Sequence, residues 1–270
     1  MSDESRAPAG AELVSMERRG AVAILRYTNP PHGYIAVKGA ARLASVLATL
    51  LADEEVRGIV LTGGQPGVFI RHADVRQISR SAEALHQGQV DPDSFTRGAF
   101  PALCRMLEEA EKPVIAALDG VCMGGGFEIA MCCAMRVASP AARAIGLPEV
   151  RLNIFPGAGG TQRLRRLLGP QRARVFILQG EIADAGKALA LGLVDELAPV
   201  ALERAVALAE DLARRPAGTI AAILNLTRDN MPARLDEELR CFATLLRDEE
   251  AVRARLRRFV DAHERLDEID

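Results

Sequence analysis

The sequence predicts an α/β domain followed by a helical C-terminal region, and three observations carry that expectation. Two short apolar runs, RGIVLTGG and KPVIAALDG, each follow a segment with helical spacing and end in glycine; that is the pattern of strands buried on both faces. Segments such as GAARLASVLATLLADEEV place apolar residues at helical intervals. From PQRARVFILQG onward the pattern is almost wholly helical.

Read in order, residues 1–11 form a polar leader expected to be disordered. ELVSMERRGAVAILRYTNPP alternates apolar and polar residues on both sides of Arg19-Gly20, which predicts a hairpin ending at Pro30-Pro31. A helix, the first buried strand and a long polar excursion follow. That excursion, with Pro92 between Asp91 and Asp93, is the candidate for a mobile lid. After KPVIAALDG come a glycine turn, a helix and a strand around MRVAS. AIGLPEVRLNIFPGAGG then reads as loop, and TQRLRRLLG as a helix stopped by glycine. The expected boundaries are a leader at 1–11, a core at 12–200 and a helical region at 201–270.

Composition limits the classes of function. The 270 residues are 49% apolar, enough for a large core, and 34 basic against 36 acidic residues leave a net charge of −2. No field of one sign argues for nucleic acid or an anionic membrane surface. Cys104, Cys122, Cys132, Cys133 and Cys241 include no C-x-x-C pair and sit mostly in apolar runs, as reduced thiols do. The first residues lack the layout of a signal peptide, and no run reaches the length of a membrane span. Cytoplasm is the expected location.

The stretch GVCMGGGFEIAMCCAM holds sixteen residues and a single charge, Glu128. A strand, a glycine turn and a helix opening at Gly125 would aim free N–H groups at an oxygen in front of the helix. Glu128 lies three residues on, about one turn away and roughly 5 to 6 Å along the same face. Donors on an oxygen beside a carboxylate suit an enolate formed from an acyl group. Close helix–strand packing, with Glu128 answering the helix dipole, accounts for the same residues equally well. Other chemistries lack their motifs: there is no G-x-G-x-x-G, no phosphate-loop Lys-Ser/Thr, no G-x-S-x-G and no spaced His/Cys set for a metal.

KPVIAALDGVCMGGGFEIAM, then LPEVRLNIFPGAGGTQRL, with GIVLTGGQPGVFIRHADV upstream, closely resembles the enoyl-CoA hydratase/isomerase (crotonase) family over roughly residues 12 to 250. The resemblance implies a spiral of ββα units with a C-terminal helical region that packs homotrimers, commonly paired into homohexamers. It implies acyl-CoA thioester substrates and no separate cofactor, coenzyme A being part of the substrate. The thioester oxygen would sit between the N–H groups of Ala73 and Gly125. Glu128 matches the first catalytic glutamate of the hydratases and Glu149 the second. Asp74, Gly124 and Pro148 fall beside them as substrate-binding positions.

Both glutamates together favour a 2-enoyl-CoA hydratase acting on a small or medium acyl group. The alternatives are an isomerase, a decarboxylase, a thioester hydrolase or a non-catalytic acyl-CoA-binding member. Departures from the family pattern fall at Arg71-His72, at NPPHGYIAVKG and in the tail DEEAVRARLRRFVDAHERLDEID. Arg253, Arg255, Arg257 and Arg258 are expected on a solvated helix face. Arg163, Arg165, Arg166, Arg172 and Arg174 are expected on a solvated or inter-subunit face. Apolar positions such as Phe242, Leu245 and Leu246 are expected at subunit contacts, because they would otherwise form an exposed patch.

Overall fold

The hairpin forms as expected in a computed structural model that describes residues 13–228 and 232–262. Strand β1 (Val14–Arg19) pairs antiparallel with β2 (Val22–Tyr27), Val14 opposite Tyr27 and Arg19 opposite Val22. β1 is largely exposed and β2 buried, because β1 is the sheet edge and β2 continues inward. The expected leader at 1–11 lies outside the described residues.

Helix α1 (Val37–Ala52) leads to β3 (Gly58–Gly63) and the short β4 (Val68–Ile70). Helix α2 (Val75–His86), a 3-10 segment (Pro92–Arg97) and α3 (Ala99–Glu109) follow. The chain then forms β5 (Val114–Leu118), β6 (Val121–Met123) and α4 (Gly125–Met131). Next come β7 (Met135–Ala138), β8 (Ala144–Gly146) and a 3-10 segment (Glu149–Leu152). Helices α5 (Gly160–Leu168) and α6 (Pro170–Leu178), strand β9 (Ile182–Ala183), helix α7 (Ala185–Leu191) and strand β10 (Glu196–Leu197) complete the layered part.

Two sheets result among the described residues: a larger one in the order β1-β2-β3-β5-β7-β10, parallel from β2 onward, and a smaller one in the order β4-β6-β8-β9. In each of the pairs β3-β4, β5-β6 and β7-β8 the chain lays one strand in the larger sheet and the next in the smaller. This stepping is the spiral of ββα units. All five residues of β5 are buried, which explains its uninterrupted apolar sequence.

Helix α8 (Ala201–Ala213) packs on the larger sheet: Ala201, Ala205, Val206 and Ala209 meet Val22, Ile24, Val60, Ile115 and Val137. Core packing thus runs on past residue 200, because the sheet needs a cover on that face. Helix α9 (Ala217–Leu226) has no buried residue. Helices α10 (Pro232–Asp248) and α11 (Glu250–Asp261) fold back over α2. Their apolar faces form one cluster: Phe242, Leu246, Val252, Leu256 and Phe259 against Val75, Ala82, Leu85, Leu152 and Ile154. Phe242 and Leu246 are therefore covered within their own chain, where subunit contacts were expected to cover them. Exposed apolar side chains are found instead on α9, at Ile223 and Leu226, and singly elsewhere, as at Leu178 of α6 and Val200 before α8. Among the described residues no helix is long and apolar enough to cross a membrane.

Candidate active site

A cavity of about 850 Å³ opens between the smaller sheet and the folded-back C-terminal helices, and its walls include Ala73, Asp74, Gly124, Gly125, Glu128, Pro148 and Glu149. All seven site residues expected from the sequence thus meet in one place, from three separate segments. The far wall is apolar, with Ile78, Phe95, Leu152, Phe155, Leu239 and Phe242. The segment expected to be a lid supplies part of it, through α2, Val90 and Phe95.

The floor is the turn from β6 into α4. Gly124 has φ 49° and ψ −127°, and a side chain there would press on Glu149 Oε1 at 3.1 Å. Gly125 packs against Ala73 so closely that a Cβ would stand 3.0 Å from Ala73 Cβ and 3.1 Å from Ala73 N. Being first in α4, Gly125 keeps an N–H with no intrahelical acceptor. Ile35 bridges Ala73 in parallel fashion, donating to His72 O and accepting from Asp74 N. That pattern turns the N–H of Ala73 away from Ile35. Two backbone donors therefore come from adjacent residues at the cavity floor. Asp74 itself caps α2, accepting from Arg76 N at 3.0 Å and Gln77 N at 3.4 Å, so its carboxylate is occupied in starting that helix.

The two glutamates are held differently. Oε1 of Glu128 accepts from Ala158 N at 2.9 Å and Gly160 N at 2.8 Å, at the turn into α5. Burial pushes its carboxyl upward, while these two N–H groups and the guanidinium of Arg163 pull it down. Glu149 has no such support: its Oε2 is buried without a hydrogen-bond partner among the described residues. Burial, with the charges of Glu128 and Glu238 added, drives the Glu149 carboxyl well above the usual carboxylate range. Both carboxyls are raised, and the pair is split because Glu149 is pushed further, so Glu128 gives up its proton before Glu149 does.

Arg163 lies beneath this turn, 1% exposed. It forms a bidentate pair with Glu108, at 2.9 and 2.8 Å, and donates to Ala158 O. It is thus no part of a solvated or inter-subunit face; its charge is needed under the turn, where Glu108 balances it. Arg253 is likewise buried rather than solvated, bonded to Leu246 O and Glu250 at the α10–α11 corner.

His72 lines the cavity. Its ring stacks on Tyr34 at 4.6 Å between centroids, and Nδ1 lies 2.8 Å from Ala73 O. A carbonyl only accepts, so Nδ1 carries the proton and the imidazole is the Nδ1–H tautomer. Burial lowers its pKa to about 4. Tyr34 is fixed in turn, its carbonyl accepting from Tyr27 Oη and Asn29 Nδ2, both at 2.8 Å.

The model of the enoyl-CoA hydratase/isomerase family matches residues 17–263 of this chain. The chain belongs to that family. A fatty acid oxidation complex subunit alpha from Idiomarina loihiensis is 40% identical over 181 residues, which cover 67% of this chain and 25% of that protein. The chain thus spans about a quarter of the length of that relative. Among solved structures, an enoyl-CoA hydratase subunit I from Geobacillus kaustophilus is 30% identical with a TM-score of 0.71, covering 93% of this chain and 96% of its own. Human mitochondrial delta3-delta2-enoyl-CoA isomerase shares the fold at a TM-score of 0.80 and 22% identity, over 94% of this chain and 98% of its own.

One group at this family member's site escaped the sequence reading. Glu238 of α10 is 6% exposed and reaches the same turn as Glu128, accepting from Gly159 N at 2.6 Å and from Thr161 Oγ1. A signal for it exists: Glu238 lies three residues after Leu235 and four before Phe242, on the apolar stripe of its helix.

Proposed function

We propose that this chain is a 2-enoyl-CoA hydratase. The observation that carries the reading is the split carboxylate pair beside two adjacent backbone donors. A thioester oxygen placed between the N–H groups of Ala73 and Gly125 would be stabilised as it gains enolate charge. Glu128, ionised and fixed through Oε1, would take a proton from a water whose oxygen bonds to Cβ. Glu149, carrying a proton in its apolar surround, would deliver it to Cα. One water is thus added, and the proton on Glu128 returns to Glu149 through solvent or a second water. The apolar wall would receive a small or medium acyl chain, and CoA would enter as part of the substrate rather than as a separate cofactor. The assembly consistent with this reading is a homotrimer or a homohexamer.

The test is a panel of 2-enoyl-CoA esters followed by loss of the conjugated thioester absorbance, with Glu128→Gln and Glu149→Gln beside the wild type. Each variant should hydrate at least about 100-fold more slowly. Glu149→Gln should also abolish exchange of the Cα proton in deuterated water, whereas Glu128→Gln keeps some of it. Normal hydration by Glu128→Gln, together with isomerisation of a 3-enoyl substrate, would replace the hydratase reading by the isomerase one.

A further inference from the structure

The turn from Ala158 to Gly160 presents three successive N–H groups to two carboxylates in alternation. Ala158 and Gly160 donate to Glu128, and Gly159 between them donates to Glu238. Thr161 Oγ1 supplies a second donor to Glu238, so both oxygens of that carboxylate are engaged. Glu128 comes from α4 and Glu238 from α10, 110 residues later in the chain, and the turn lies between them. α10 also leans on the turn with its apolar residues. A Cβ at Gly157 would stand 2.5 Å from Phe242 Cγ, and one at Gly159 would stand 2.7 Å from Leu235 Cδ2. The loop that seats Glu128 is thus stripped of side chains where the C-terminal cover touches it.

We propose that Glu238 is a positioning residue of this site: it ties α10 to the Ala158–Gly160 turn, so that Glu128 is aligned only when the C-terminal cover is docked. The cover brings Leu239 and Phe242 to the cavity wall on the same helix. One docking event therefore closes the apolar wall and seats the carboxylate. A plain helix cap would need one oxygen at the start of α5 and no second acid sharing its N–H groups. The charged and titratable groups facing Glu238 are Glu128 on α4, Glu149 in the second 3-10 segment and Arg163 on α5, with the hydroxyl of Thr161 beside them. Burial, and next to it the charge of Glu128, raise the Glu238 pKa to about 7. Its charge in turn contributes to holding Glu149 protonated.

The activity arm of the test rests on the hydratase reading, and the structural arm does not. Glu238→Ala should lower kcat for the best enoyl-CoA by about 100-fold, the scale of a misplaced catalytic group, with KM changed far less. Without any ligand, the amides of Gly157–Gly160 should exchange with deuterium faster in Glu238→Ala than in wild type. Glu238→Gln, which still accepts from Gly159, should recover most of kcat. With the Glu238 charge gone, the alkaline limb of its kcat profile should move to lower pH, because Glu149 then loses its proton more readily. A folded Glu238→Ala with wild-type kcat and wild-type amide exchange would overturn the proposal. If the wild type hydrates no enoyl-CoA, the hydratase reading falls and the exchange arm still decides: faster exchange upholds the tie, unchanged exchange ends it.

Discussion

Ala73 and Gly125 touch so closely that the backbone nitrogen of one lies 3.1 Å from the point where a Cβ of the other would stand. Any side chain at residue 125 must therefore push the two donors apart, or push Phe100, whose Cζ lies 3.2 Å from the same point. Gly125→Ala is expected to lower kcat about 100-fold, the low end for a lost oxyanion donor. Its melting temperature should fall modestly. Steady-state rates and a thermal melt on the same preparation check both, and an unchanged kcat would mean that no thioester oxygen is held there.

The split between the two carboxylates predicts a bell-shaped kcat profile. Activity should fall at low pH as Glu128 takes up a proton and at high pH as Glu149 loses one, both groups lying above the ordinary carboxylate value. Removing the Arg163 guanidinium as Arg163→Met takes away a charge that favours ionised Glu128, so the acid limb should move to higher pH. A pH–rate series on both proteins measures it.

His72 should remain neutral through the range where ordinary histidines titrate. With its pKa near 4, its ring nitrogens should show the Nδ1–H pattern in a nitrogen-15 correlation spectrum at pH 6. The unfolded chain takes up this proton near the ordinary pKa of about 6.5, so stability tied to neutral His72 is present above that pH. It is lost as pH falls toward 4. A titration midpoint near 6.5 in the folded protein would contradict the packing described for this ring.

Glu238 gives the opposite slope. Its folded pKa, about 7, is above the unfolded value, so the stability it confers is complete below about pH 4.5 and is lost as pH rises through 7. From 4.5 to about 7 the shift corresponds to about 3 kcal/mol. Urea titrations at pH 5 and pH 8 should show a drop larger by that order in wild type than in Glu238→Gln, which keeps the contributions of Glu128 and Glu149. The comparison of slopes is insensitive to any uniform cost of the substitution.

Helix α9 carries Ile223 and Leu226, 54% and 84% exposed, with no residue of the helix buried. If the homotrimer or homohexamer covers it, Ile223→Asp with Leu226→Asp should yield monomers of near-wild-type helical content. Light scattering at micromolar concentration distinguishes the outcomes, and a stable wild-type monomer would remove the assembly.

The larger sheet was readable because β3 and β5 are long enough to show continuous burial as an apolar run. The smaller sheet was not. Its strands β4, β6 and β8 are three residues each, too short to show any period, and they form by pairing with one another across the chain. At the site, Glu128 stood out because it is the lone charge in an apolar stretch. Glu238 follows Asp236 and Glu237, so its burial is hidden in a run of acids that looks solvated. Arg163 is concealed in the same way among Arg165 and Arg166. Residue type alone does not separate either buried charge from its less buried neighbours; for Glu238 the helical spacing to Leu235 and Phe242 does.

The register of the larger sheet bears on how this chain reaches its native state at all. Thr62 donates to the carbonyl of Ala117, 55 residues away, and Ile59 stands beside Val114. Parallel neighbours of this kind form only after a long intervening segment has closed on itself, and that entropy is lost before any strand contact compensates for it. Local helices such as α1 can flicker into place early, yet the apolar runs of β3 and β5 must wait for each other while exposed. Refolding from denaturant should therefore be slow for a chain of this helix content and should lose yield to aggregation as protein concentration rises.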